Sequence, residues 1–321
     1  MPEADARRWC GALARSHYEN FPVLTALVPE RARDDFAAVY AFCRWSDDLG
    51  DESGSRAEAT ALLGWWRSEL DRCYDGAPRH PVFVALRPAI LRCDLPRAPF
   101  DQLISAFELD QQVDRYETWE QLVDYCRLSA DPVGRLVLML LEEPRDPETF
   151  RLSDSICTAL QLTNHWQDIR RDRLDRNRVY IPRELNRIED FERRLEVTVG
   201  QGYGCDRAFL EETRCLVADL VERTWPYFDE GRSLLDRLRP QSVPVVRLFV
   251  EGGEHVLRLI SRWNHETVLH RPSLSKGAKA WMVARAWIGA RWAARGSAGA
   301  SRGAPVRGSS LEPGRPAEDA R

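Results

Sequence analysis

Along nearly its whole length the chain repeats apolar residues at three- and four-residue spacing, and runs of strict alternation rich in Val, Ile and Thr are all but missing. A period near 3.6 gathers such residues into one stripe of a helix but scatters them over both faces of a strand, so the pattern predicts an all-α fold. The spacing predicts helices over about 4–16, 30–50, 56–74, 80–93, 98–112, 117–128, 132–142, 147–176, 204–237 and 243–269. Pro29, Pro81, Pro99, Pro147 and Pro244 stand near predicted starts, whereas Gly50, Gly54, Gly76 and Gly231 mark ends or weak points. Short connectors and no long polar linker before residue 295 predict one helical domain over 1–275.

Beyond that domain the composition shifts. The stretch 276–295 carries five cations, no acids and three tryptophans. It reads either as a basic amphipathic helix for a lipid surface or as a last helix packed on the core with a basic edge. Residues 296–321 hold one Leu and one Val among many Gly, Ser, Pro and Ala, too little apolar surface to offset ordering, so a disordered tail is expected.

Charge narrows the function. Lys and Arg total 46 against 50 Asp and Glu, a net charge of −4, which gives no general field for nucleic acid. The longest uncharged apolar run, Phe36 to Cys43, is far short of the ~20 residues of a membrane span. The N-terminal stretch has charges of both signs and no apolar core, so a secretory leader is not expected and a cytoplasmic location is. The eight cysteines form no C-x-x-C pair and sit mostly among apolar neighbours, as buried reduced thiols do.

The chemistry concentrates in two acidic stretches. In YAFCRWSDDLGDE, Tyr40, Arg44, Asp47 or Asp48, and Asp51 recur at helical spacing, with Glu52 following. In QLTNHWQDIRRDRLDRNRVYIP, Asn164, Asp168 and Asp172 stand at i, i+4 and i+8, with Gln161 three residues before them. Residues four apart share a helix face about 6 Å apart, and like charges so placed repel unless something compensates. Neighbouring Arg44, Arg170, Arg171 and Arg173 could do so on a solvated surface. Two such faces, each set in an apolar helix, instead point to a hard divalent cation such as Mg²⁺, which takes oxygen ligands and shares carboxylates with substrate phosphates.

Four stretches carry a family resemblance: YAFCRWSDDLGDE, YCRLSADPVGRLVL, QLTNHWQDIRRD and RVYIP. Over roughly Ala6 to Lys276 the chain resembles the squalene and phytoene synthase family, all-helical isoprenoid synthases that use Mg²⁺ to bind and remove diphosphate. The resemblance implies a helical bundle whose central cavity is lined by the two acidic helices. It makes Asp47 and Asp51 the first metal pair with Asp48 beside them, and Asn164, Asp168 and Asp172 the second set. It assigns Arg44, Tyr40 and Gln161 to the diphosphate mouth, Arg178 and Tyr180 to a flap over it, Tyr125 to the reacting carbons and Phe21 to the cavity wall.

ENFPV at Glu19 to Val23, CRWSDDLGDE, the Ser129–Gly134 run and NHWQD resemble the hydroxysqualene-forming branch. The implied reaction turns presqualene diphosphate and water into hydroxysqualene and diphosphate. Tyr18, Gln167 and Asp131 depart from the pattern, which has a small serine, an Arg and an Asn there. Head-to-head condensation of two prenyl diphosphates is the alternative enzyme, and a non-catalytic helical membrane or assembly protein the alternative of another class. Expected partners are a prenyl diphosphate, a membrane surface and other squalene-pathway enzymes, with no nucleic acid. Other motifs fail on spacing: GQGYGC lacks G-x-G-x-x-G and reads as a helix connector, and His265, Glu266 and His270 are one residue too long for H-E-x-x-H. His165 is expected to pack rather than to bind metal.

Overall fold

Helix starts follow local chemistry. Ser55 Oγ accepts the Glu58 amide at 3.2 Å, and Glu58 reaches back to the Gly54 amide at 3.1 Å. Asp146 accepts the Thr149 amide at 3.1 Å ahead of Pro147 at the first helical position. The structure is a computed structural model that describes residues 1–17, 27–273, 275 and 277. Tyr18, Phe21, the basic stretch 276–295 apart from Gly277, and the tail 296–321 lie outside the described residues.

Among the described residues there are twelve α-helices: α1 (Glu3–His17), α2 (Arg33–Asp51), α3 (Arg56–Tyr74), α4 (Pro81–Cys93), α5 (Ala98–Leu109), α6 (Trp119–Ser129), α7 (Asp131–Leu140), α8 (Pro147–Gln167), α9 (Ile169–Arg176), α10 (Phe191–Gln201), α11 (Arg207–Gly231) and α12 (Val243–Arg262). No strand occurs among them, only an isolated bridge between Arg115 and Val179. The all-α expectation holds, with four corrections. The predicted 147–176 helix is interrupted at Asp168, where φ is −108° and ψ is 15°. The Asp172 amide still donates to the Asp168 carbonyl at 2.8 Å, so the acidic ladder continues across the joint. The predicted 204–237 helix turns into a 3₁₀ segment at Arg232, and the predicted 243–269 helix stops at Arg262. Helix α10 is additional to those the spacing picked out; it ends at Gly202, whose φ of 77° makes GQGYGC a connector.

One end of the bundle packs α1 on α2 and α4, with α3 beside α2. Its core is aromatic: fully buried Trp66 lies 5.8 Å from Phe42 and 4.4 Å from Phe83 between ring centroids, and its indole donates to Ser46 Oγ at 2.9 Å. At the other end α8 is the central element, covered by α11, α7, α12 and α6. Fully buried Trp166 ties α8 to α11 by donating to Thr224 Oγ1 at 2.8 Å. Helices α5, α6 and α7 join the two ends, so α2 and α8 flank a space at the middle.

Close approach at α8 depends on glycine. A Cβ on Gly231 would stand 2.5 Å from Ile156 Cγ1 and 3.1 Å from the Leu152 carbonyl oxygen, which belongs to the α8 backbone. Gly231→Ala is therefore expected to destabilise the chain by about 1–3 kcal/mol in urea unfolding; an unchanged midpoint would contradict this packing. The cysteines are free: Cys10, Cys73, Cys93 and Cys126 are buried as expected, Cys43, Cys157 and Cys205 are half-buried, and Cys215 is exposed.

Candidate active site

The last two turns of α2 deliver Asp47 and Asp51, one turn apart, to a polar cavity of about 350 Å³. Its opposite wall is Gln161, Asn164, His165 and Asp168 along α8, then Asp172 on α9. The two distant acidic stretches of the sequence thus converge on one space. Among the described residues no group of three or more His, Cys, Asp or Glu closes into a ready-made metal cage.

Electrostatics show what the space demands. Five carboxyls line it, Asp47, Asp51, Asp110, Asp168 and Asp172, against three guanidiniums, Arg176, Arg178 and Arg271. Burial, then the neighbouring Asp168, pushes the Asp172 carboxyl up to about 7. Burial, then Asp51, raises Asp47, while Arg176 and Arg44 oppose the rise. Burial lifts Asp110 to about 7 against the pull of Arg178 and of the Tyr125 hydroxyl, which donates to Asp110 Oδ2 at 2.9 Å. Burial and mutual repulsion thus work against charge on Asp47, Asp110 and Asp172, a cost that a bound cation would relieve. Oxygen donors without a rigid cage suit Mg²⁺, which retains waters and completes its shell with substrate phosphate; the donor set fits the metal.

Each arginine is held by an acid. Arg176 lies 2.8 Å and Arg178 2.9 Å from the Asp51 oxygens, and Arg178 lies 3.6 Å from Asp110. Arg271 grips both Asp168 oxygens, one at 2.9 Å, and donates to Gln167 Oε1 at 3.1 Å. Arg178 and Tyr180 sit on a flap that α9 releases at Asn177, in left-handed conformation with φ 54°. The flap is stitched to the segment after α5: the Val179 amide donates to the Asp114 carbonyl and the Arg183 amide to the Tyr116 carbonyl, both at 2.9 Å. Arg115 secures it by donating to the Asn177 carbonyl at 2.6 Å and to Glu192.

An aromatic wall stands behind the carboxyls. His165 stacks on Tyr180 at 3.8 Å, and Tyr180 lies 5.8 Å from Tyr116 and 5.6 Å from Tyr125. Burial lowers His165 to about 3, so its ring is neutral where it packs on Tyr180 and lines the polar cavity. An adjoining apolar cavity of about 230 Å³ runs between α6, α7, α8 and α12, lined by Val133, Val137, Ile156, Leu160, Val246 and Phe249 among others. Ser129 and Gln161 line both spaces.

Of the predicted site residues, Asp47, Asp51, Tyr125, Gln161, Asn164, Asp168, Asp172, Arg178 and Tyr180 line the polar cavity together. Tyr40, Arg44 and Asp48 are on α2 but not on its lining, and Arg44 spans Asp47 at 3.2 Å, Asp48 and Glu52 at 3.1 Å. Phe21 is outside the described residues. Sequence reading missed Asp110, Arg176, Ser129 and Arg271. Arg176 had a signal, one turn after Asp172, and Asp110 had one in the D-x-x-x-D spacing it shares with Asp114, whereas Arg271 enters from a segment with no such spacing. His265, Glu266 and His270 make no metal site: Glu266 is buried and paired with Arg214 at 3.1 Å, and His270 packs on Tyr203 and Trp263.

The departure at Asp131 has a measurable consequence. Its carboxyl, 4% exposed, accepts from Thr158 Oγ1 at 3.1 Å, and burial, then Asp154, pushes it up to about 7. A raised carboxyl favours the native state below its unfolded value near 4, and that advantage is lost as pH rises through 7. Asp131→Asn keeps the acceptor without the charge. It is expected to match the parent's thermal stability at pH 4 and exceed it by on the order of 3 kcal/mol at pH 8; a pH-independent difference would contradict this.

Comparisons with known proteins agree with this geometry. The family profile for squalene/phytoene synthase matches residues 14–278. Hydroxysqualene synthase of Zymomonas mobilis is 38% identical over 170 residues, 52% of this chain and 56% of that protein, so the chain spans about half the length of that curated relative. Presqualene diphosphate synthase of Rhodopseudomonas palustris is 33% identical over 250 residues, 78% of this chain and 84% of that one. The crystal structure of squalene synthase HpnC from Alicyclobacillus acidocaldarius superposes with a TM-score of 0.73 at 41% identity, covering 83% of this chain and 97% of that one. With the fold, the paired acidic walls and the profile match in agreement, the chain belongs to the squalene/phytoene synthase family.

Proposed function

We propose that this chain converts presqualene diphosphate and water into hydroxysqualene and diphosphate, with Mg²⁺ as its cofactor. The observation that carries the reading is the union of a net-acidic mouth with an apolar cavity through a shared wall. As it stands the mouth repels an anion, so a diphosphate enters only with divalent cations, and the apolar cavity then receives its hydrocarbon. Asp47, Asp51, Asn164, Asp168 and Asp172 would hold the metal. Bound there, Mg²⁺ supplies Lewis-acid stabilisation of the departing diphosphate.

The remaining work falls to the chain. Arg176, Arg178 and Arg271, paired here with Asp51, Asp110 and Asp168, carry planar guanidiniums that match phosphate oxygens in paired hydrogen bonds and would turn onto the diphosphate. Tyr125, on the wall of the polar cavity, would stabilise the cation left behind by about 2 kcal/mol where water is excluded, with Tyr180 packed beside it. The hydroxysqualene synthase relative supports this product, as does Gln167 in place of the arginine expected there: its amide is engaged by Pro272 and Arg271.

The presqualene diphosphate synthase relative, matched over most of both chains, favours a second reading, head-to-head condensation of two farnesyl diphosphates. Purified protein with Mg²⁺ is given presqualene diphosphate or farnesyl diphosphate, and the hexane-soluble products are identified by mass spectrometry. Hydroxysqualene from the first supports the proposal. Product from farnesyl diphosphate alone would replace it by the second.

No described helix is long and apolar enough to cross a membrane. We assign lipid contact to the basic stretch 276–295, whose five cations and three tryptophans suit an anionic interface. Deleting 276–321 is expected to abolish sedimentation with anionic liposomes, and unchanged binding would remove this role.

A further inference from the structure

A cation formed where diphosphate departs must meet one water and no others, and the group that holds that water has to stand beside the reacting carbon. That carbon lies where the charged mouth gives way to the apolar cavity, because its diphosphate occupies the first and its chain the second. Ser129 and Gln161 are the described residues that line both spaces. Ser129 closes α6, one turn after Tyr125 and on the same face; Gln161 lies one turn before His165 on α8.

The Ser129 hydroxyl is buried with no hydrogen-bond partner among the described residues. A buried hydroxyl left unpaired is uncommon and asks for an explanation. Turning about χ1 toward the cavity would sacrifice no existing hydrogen bond. The other hydroxyl on the apolar wall, Ser153, is already engaged with Cys157. The rest of that wall is largely aliphatic and offers water nothing.

We propose that Ser129, with the Gln161 amide, positions the water that captures the carbocation and so sets alcohol rather than hydrocarbon as the product. The inference rests on the presqualene diphosphate reading above. The C–O bond to diphosphate breaks with its electron pair leaving on the diphosphate oxygen, a cyclopropane C–C bond migrates to the carbon so exposed, and a bond of the rearranged ring opens as the positive charge comes to rest on an allylic carbon of the linear chain. The water held by Ser129 Oγ bonds that carbon through its oxygen. Its surplus proton passes to the departed diphosphate, so no oxidant or reductant is consumed. Without a held water the same cation loses a proton from the neighbouring carbon and gives a hydrocarbon with one more, conjugated double bond.

The test uses the full chain with Mg²⁺ and presqualene diphosphate, scoring alcohol and hydrocarbon by mass spectrometry per diphosphate released. Ser129→Ala is expected to lower the alcohol-to-hydrocarbon ratio about tenfold, the scale of one hydrogen bond to a charged group. Ser129→Thr, which keeps the hydroxyl, is expected to restore it. Ser129→Cys keeps nearly the volume with a weak donor and is expected to fall with Ala, so the result stands even if the Ala variant folds poorly. An unchanged ratio in both the Ala and Cys variants, with wild type still making hydroxysqualene, would overturn this inference alone. Wild type that releases no diphosphate from presqualene diphosphate would overturn the underlying reading and this inference with it.

Discussion

Exchanging Asp168 for Asn is expected to lower turnover of the prenyl diphosphate about a thousandfold while leaving the helical signal and melting temperature close to those of the parent. Asp168 stands at the joint between α8 and α9 and faces the carboxyls of α2 across the polar cavity. Asn preserves its size and a hydrogen bond for Arg271 but removes one of five carboxyls, leaving four against three guanidiniums. With one oxygen ligand fewer to share its charge the mouth holds a divalent cation more weakly, so raising Mg²⁺ is expected to recover part of the activity. Asp47→Asn removes a charge from the opposite wall and is expected to behave alike. Unchanged turnover in both variants would show that the carboxyls are only a solvated face.

Removing Arg178 is expected to produce the largest loss of stability, about 3–5 kcal/mol for Arg178→Leu, because it strips a buried cation from two buried acids. Arg178 is 7% exposed, lies 2.9 Å from Asp51 and 3.6 Å from Asp110, and anchors the flap beside Tyr180. The pH dependence has a definite sign. Burial already holds Asp110 at about 7 with Arg178 pulling it down, so loss of the guanidinium drives it higher. A carboxyl raised in the native state loses stability from its unfolded value near 4 up to its folded value, so parent and variant lose alike up to about 7 and only the variant goes on losing above it. The deficit is therefore smallest near pH 5 and largest at pH 8. Urea melts at the two pH values measure it, and an equal deficit at both would refute the electrostatic origin.

Much of this was legible in the sequence. The 3.6-residue period gave most helices of the first 140 residues within a few residues of their ends, because amphipathic stripes and caps such as Ser55 act locally. The acidic faces were legible for the same reason: Asp47 and Asp51, or Asn164 and Asp168, sit one turn apart. What escaped was set by tertiary structure. The break at Asp168 falls inside an uninterrupted helical pattern, at a residue held by Arg271 more than a hundred positions away. Asp110 looks like any helix-end acid until burial places it under Tyr125 and Arg178. Ser129 opens one of the stretches that carry the resemblance, but only its position on two cavity walls gives it a role.

The most direct measurement is diffraction at the manganese absorption edge from crystals of the full chain grown with Mn²⁺ and inorganic diphosphate. The account predicts anomalous peaks between Asp47 and Asp51 on one side and Asn164, Asp168 and Asp172 on the other, with diphosphate oxygens completing the shells and Arg176, Arg178 and Arg271 turned onto the anion. Crystals that diffract well with manganese absent from that cavity, or bound on the outer surface instead, would contradict it.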